Sequence, residues 1–157
     1  MPTRDSKIFA VKTFILDASV VFRFLLADDP AQSPKAKELL VLAESGVSVC
    51  ALLMLYCLTH VAVAELVWVL GSFLDFPRHD VGPKLRGLIL HKGVEIDDQD
   101  VILGALDRFA RINADFPDCY AAAIAAHSAS PVAIYDRDFR KFTDVTCLKP
   151  EEILKAP

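Results

Sequence analysis

Twice along this chain a short apolar run stops abruptly at an aspartate: Phe14-Ile15-Leu16 at Asp17, and Val132 to Tyr135 at Asp136. Apolar runs of that length, without polar alternation, are the mark of strands buried on both faces, which belong to parallel sheets covered by helices. An acid at the carboxyl end of such a strand emerges at the sheet edge where α/β proteins bind their ligands. The intervening segments fit the pattern. Val20 to Leu26 reads as a short helix, broken by Asp28-Asp29-Pro30, and Ser33 before Pro34 reads as the cap and first residue of a helix that Gly46 closes. Tyr56 to Thr59 reads as a strand and Val61 to Leu74 as a helix apolar almost all round, hence buried.

Further on, a helix is expected from near Asp80 to Gly93, with Pro83 in its first turn, followed by a brief extended piece at Val94-Glu95-Ile96. Asp97 is expected to cap a helix from Asp98 to about Ile112, and Pro117 to open an Ala-rich helix from Asp118 to Ala129. A last strand is expected at Val145 to Leu148. Strands alternating with helices predict an α/β fold with a parallel sheet.

Composition narrows the function classes. An apolar fraction of 54% over 157 residues supplies a full core, which excludes a disordered chain. Lys plus Arg number 17 against 21 for Asp plus Glu, a net charge of −4, so no broad basic surface grips nucleic acid; such a function needs local charge or metal ions. Cys50, Cys57, Cys119 and Cys147 form no metal-ligand spacing, and no export signal is seen, so they read as reduced thiols of a cytoplasmic protein. His60, His79, His91 and His127 are equally scattered and read as structural. The stretch Val47 to Leu70 is interrupted by Thr59, His60 and Glu65, and its longest unbroken run, Val49 to Leu58, is half the ~20 residues of a membrane span.

Glu65 has no Lys or Arg within seven residues on either side and is surrounded by Val61-Ala-Val-Ala and Leu-Val-Trp-Val-Leu70. It is expected to be buried, and a buried carboxylate must find a distant partner or a metal ion. Asp118 stands in the first turn of its helix, where the dipole favours an anion, and Ala121 and Ala122 one turn on leave room beside it. Acids converging without matching bases suit hard divalent cations, which promote phosphodiester displacement.

Four blocks carry a resemblance: Ile15-Leu-Asp-Ala-Ser-Val-Val-Phe-Arg-Phe-Leu-Leu26, Val61 to Leu70, Asp115-Phe-Pro-Asp-Cys-Tyr-Ala-Ala-Ala-Ile-Ala-Ala126 and Tyr135-Asp-Arg-Asp-Phe139. In order and spacing they resemble the signature blocks of PIN-domain proteins, and most of all VapC-type toxins of bacterial toxin–antitoxin pairs. The resemblance implies a three-layer α/β/α fold with a four- or five-stranded parallel sheet in order 3-2-1-4-5, a single domain over 1–157 with its core at about 13–148. It places the catalytic, metal-binding acids at Asp17, Glu65, Asp118 and Asp136, with Ser19, Arg23, Asp115 and Asp138 one step back. It implies a magnesium- or manganese-dependent endoribonuclease cleaving tRNA or rRNA, a homodimer, and a VapB-like antitoxin as partner. The chain departs from the pattern at Ile134, where Thr or Ser is usual, at an apolar insertion near 47–55 and at Phe116-Pro117.

Two other phosphotransfer classes put an aspartate after the first strand, but one needs a second Asp where Ser19 stands and the other a Lys where Asp136-Arg137 stand. The rival that Ile134 favours is a PIN-like module that binds RNA or a partner with weak or lost catalysis.

Overall fold

The structure, a computed structural model, describes residues 10–16, 18–45 and 52–154, and its chain forms two compact units. The first, residues 1–62 and 89–96, is built on a parallel sheet. Strand β1 (Ala10–Leu16) runs beside β2 (Leu52–Leu58) in a register that pairs Ala10 with Leu52 and Leu16 with Leu58. The two-residue β3 (Val94–Glu95) joins the other edge of β2 through Tyr56 and Cys57. The central strand is therefore the uniformly apolar one, as a strand with neighbours on both sides should be. Two boundaries differ from expectation. β1 begins at Ala10, carrying Lys12 and Thr13 within the ladder, rather than at Phe14. β2 begins at Leu52 rather than Tyr56, so Leu52-Leu53-Met54-Leu55 of the supposed insertion lengthen a strand; residues 46–51 lie outside the described ones.

Helices α1 (Ala18–Leu26) and α2 (Ser33–Ser45) pack together, burying Ala18, Val21, Ala36 and Leu40. The link between them turns at Ala27, whose φ of 51° is left-handed. The cap of α2 is not the expected one. Asp29 Oδ1 accepts from the amides of Ala31 and Gln32, both at 2.8 Å, while Ser33 Oγ accepts from the Asp29 amide at 3.2 Å. Those amides hold the Asp29 carboxyl below its ordinary range.

The second unit comprises residues 63–88 and 97–157, and the chain enters it within α3 (His60–Trp68), whose start is capped by Thr59 Oγ1 accepting from the Ala62 amide at 3.1 Å. A π-helical turn, Val69–Phe73, extends α3. One face of this segment is core, with Val63, Leu66 and Leu70 fully buried, but Val61, Trp68 and Phe73 are 78%, 62% and 72% exposed. The expectation of burial all round, with Trp68 and Phe73 as core, is therefore corrected.

Then follow α4 (Arg78–Ile89), α5 (Gln99–Arg111), α6 (Phe116–Ser128), β4 (Val132–Ala133), a 3₁₀ turn (Arg137–Lys141), β5 (Cys147–Leu148) and the single-turn α7 (Pro150–Ile153). Helix α4 starts two residues earlier than expected, which puts Pro83 in its second turn. Asp98, with a left-handed φ of 45°, precedes α5 in place of Asp97. Gly82 lets α4 lie on α5, for a Cβ there would stand 3.1 Å from the Leu106 carbonyl. Helices α5 and α6 form the main packed pair, burying Ile102, Ala105, Leu106 and Phe109 on one and Cys119, Ala122 and Ala123 on the other. β4 and β5 are parallel, pairing Val132 with Cys147 and Ala133 with Leu148. The strands thus form a three-stranded sheet, β3-β2-β1, and a two-stranded one, β4-β5. No helix among the described residues is long and apolar enough to cross a membrane.

Candidate active site

Two local structures in the second unit bring acids together. Pro117 sits in the first turn of α6, where its missing amide costs nothing, so α6 starts cleanly after Asp115 and carries Asp118 in its first turn. β4 leads through Ile134 and Tyr135 to Asp136, and the 3₁₀ turn begins at Arg137. The Ile134 amide still donates to the Leu148 carbonyl at 2.9 Å, so the ladder with β5 fixes the chain two residues before the acid. Asp136 caps the turn: its Oδ1 accepts from the Asp138 amide at 2.8 Å.

The charge on these groups converges on Asp118. Its carboxyl is raised above the ordinary value of 3.8, first by partial burial and then by the negative charges of Asp115, Asp136 and Asp138, with Lys141 alone opposing. Lys141 ties the two structures together, its Nζ donating to the Asn113 carbonyl at 3.0 Å and standing 3.4 Å from Asp138 Oδ2. At Asp118 the nearby charges are three further acids and one lysine. The all-oxygen donor set of these acids has the chemistry that hard divalent ions select.

A second support lies behind α6. Arg78 Nη1 donates to the carbonyls of Phe109, Ile112 and Ala114 at 3.0, 2.8 and 2.6 Å, and its guanidinium stacks 4.0 Å from the centre of the Phe109 ring. These carbonyls close α5 and form the link to Asp115. Arg78 and Asp115 also border a cleft of about 660 Å³ shared with Ala64, Val67 and Trp68 of α3.

Of the acids expected to act, the structure groups Asp118 with Asp136 and adds Asp115 and Asp138. Asp17 lies outside the described residues, although β1 ends at Leu16 and α1 begins at Ala18, the order expected around it. Glu65 is on α3 but exposed rather than buried, so burial does not demand a counter-charge there. Ser19 and Arg23 belong to the first unit. The Arg23 Nη1 grips both carboxylate oxygens of Asp28, at 2.9 and 3.0 Å, and its Nε donates to Gln32 at 3.0 Å, so it serves the α1–α2 link instead of a site acid or phosphate. Among the described residues no three Asp, Glu, His or Cys side chains stand close enough to enclose an ion.

Asp115, at the N-cap of α6, makes no side-chain cap bond, and its charge is one of those that raise Asp118. The 3₁₀ turn is capped by Asp136 and not by Asp138. Arg78 and Lys141 carried no sequence signal beyond charge, since their partners are carbonyls distant in sequence. Cys119 and Cys147 are free thiols, and burial raises Cys119 to about 11, which keeps it protonated and excludes it as a nucleophile near neutral pH.

Parallel strands, covering helices and carboxylates gathered where a strand ends and a helix begins define an α/β protein with an acidic site at a strand's carboxyl end. The chain belongs to the PIN domain family, which it matches over residues 14–145. PIN domains are usually nucleases and typically bind divalent metals. Comparison with curated proteins gives no significant match.

Proposed function

We propose that this chain is a magnesium- or manganese-dependent endoribonuclease, acting in the cytoplasm as the toxin of a VapBC-type pair against tRNA or rRNA. The observation that carries the reading is Asp118, held above its ordinary value first by partial burial and then by the charges of Asp115, Asp136 and Asp138, with Lys141 opposing. Acids so arranged repel one another unless a cation joins them. Asp118 and Asp136 would hold the ion, together with Asp17 and Glu65 by family correspondence. When bound, it supplies activation of water and neutralises charge in an in-line phosphodiester displacement. The residues themselves do the positioning. The Asp138 amide fixes Asp136, Lys141 holds the 3₁₀ turn to the α5–α6 link at Asn113, and Arg78 holds the same link ahead of Asp118.

In this reading the strands form one sheet in order 3-2-1-4-5 within a single PIN domain, the protein dimerises, and a VapB-like antitoxin occupies the acidic site. A second reading, a module that binds RNA or a partner without cutting, draws on Ile134, which brings no hydroxyl toward Asp136.

Purified protein is expected to hydrolyse RNA with magnesium or manganese and to stop in chelator. Cleavage undiminished in excess chelator, with contaminating nuclease excluded by an Asp17→Asn control, would end the metal mechanism. Production of the protein alone is expected to arrest bacterial growth, with Asp17→Asn or Asp136→Asn relieving it. Normal growth with soluble wild-type protein present would favour the binding module, and Ile134→Thr then tests whether the missing hydroxyl is the cause.

A further inference from the structure

Beside Asp136, on the side reached through β5 and α7, lies a second pocket of about 340 Å³. Tyr135, Arg137, Arg140 and Lys149 border it, together with Asp136 and Glu152, so three cations face two acids. Glu152 is partly engaged, its Oε2 accepting from the Lys149 amide, and Asp136 from the Asp138 amide. The guanidinium groups of Arg137 and Arg140 have no hydrogen-bond or ion-pair partner among the described residues, in contrast to Arg23, Arg78, Arg86, Arg108 and Arg111, which are all engaged. The 3₁₀ turn that Asp136 caps carries both free arginines, so the same short segment bears the acid and the cations. Tyr135, 67% exposed, adds an aromatic ring at the rim.

We infer that this pocket is an RNA-binding subsite, in which Arg137 and Arg140 hold a backbone phosphate next to the one being cut and Tyr135 stacks on the adjoining base. The inference rests on the ribonuclease reading above. It answers a difficulty of the sequence, for a chain of net charge −4 needs local cations to hold a polyanion near a cluster of acids. A planar guanidinium fork matches a phosphate's paired oxygens, and an exposed ring accepts any base without regard to sequence. A carboxylate-bearing protein partner would meet the arginines but has no use for the ring, and so ranks behind RNA.

The test is binding of a fluorescent single-stranded RNA oligonucleotide to the full chain in chelator, followed by anisotropy across a salt series, with the same oligonucleotide's cleavage in magnesium measured separately. The Arg137→Gln/Arg140→Gln double variant is expected to weaken binding at least ~10-fold and to flatten the salt dependence by about 0.7, the slope of one single-strand phosphate contact. Arg137→Lys/Arg140→Lys should recover most of the slope. Tyr135→Ala should weaken binding about 5-fold or more with the slope unchanged. In magnesium the double variant should raise KM and leave kcat near that of wild type. Equal affinity and slope for wild type and the double variant would overturn the subsite while leaving any observed cleavage standing. Arginine-dependent binding by a wild-type protein that cuts nothing would support the subsite and remove the ribonuclease reading. No binding by the folded wild-type protein would overturn the subsite outright, and circular dichroism of each variant separates lost binding from lost folding.

Discussion

Asp118→Asn is expected to lower the rate of RNA hydrolysis at least ~10²-fold and to leave the folded chain as stable as its parent or more so. The stability half follows from the raised Asp118 carboxyl, and the rate half from its proposed place on the ion. The folded chain holds this proton more tightly than the unfolded chain does, so stability falls as pH rises from 3.8 through the raised range, and the cost remains at neutral pH. Removing the charge removes that cost and, in the function proposed above, a ligand of the ion. Denaturant midpoints measured across pH without divalent ions should therefore decline less steeply for the variant than for the parent. Asp115→Asn and Asp138→Asn should change stability by no more than about 1 kcal/mol and keep the metal requirement, although Asp115→Asn should also ease Asp118 back toward its ordinary value. Metal titration of the three variants decides the assignment. Loss of metal binding in Asp115→Asn with its retention in Asp118→Asn would mean that Asp115 is the third acid, three residues from where the family pattern puts it.

Arg78→Ala is expected to have the largest effect on stability, about 2–4 kcal/mol by urea unfolding. Two protons on Nη1 serve three carbonyls, and the ring of Phe109 covers the guanidinium face. Truncation takes that donor from all three carbonyls, of which Ile112 keeps the Ala114 amide at 2.9 Å, and removes a cation–π contact. Arg78→Lys should recover only part of the loss, because an ammonium lacks the flat face that lies on Phe109. Activity should fall further than the unfolded fraction explains, since the three carbonyls belong to the link that aims Asp115 and Asp118. A variant of unchanged midpoint would show that the link holds its shape without the clamp.

Local chemistry explains which parts of the molecule could be read from the residues. Pro117 and the alanines behind it marked α6 to within two residues, and the two aspartates at strand ends marked where acids would emerge. Less legible were the features that depend on which face of an element is covered and on which group caps a turn. Glu65 has apolar neighbours in sequence, yet apolar neighbours do not say which helix face is covered, and the π-helical turn after Trp68 changes the angular phase by which such faces are counted. β1 was shortened because Lys12 and Thr13 interrupt its apolar run, while its seven-residue pairing with β2 is a property of both strands together. An aspartate before a helix is usually a cap; Asp115 is not, and only the presence of Asp118 beside it distinguishes the cases.

Trp68 is the only tryptophan of the chain, and it stands largely exposed on the wall of the cleft bordered by Asp115 and Arg78. The protein thus carries an intrinsic fluorophore at a single known address, with no second indole to blur its emission. Red-shifted light that is readily quenched by acrylamide is the optical signature of such a position, and a blue shift with lost quenching is the signature of anything that settles over it. Occupancy of that cleft can be followed in real time, without a label, by the colour of one side chain.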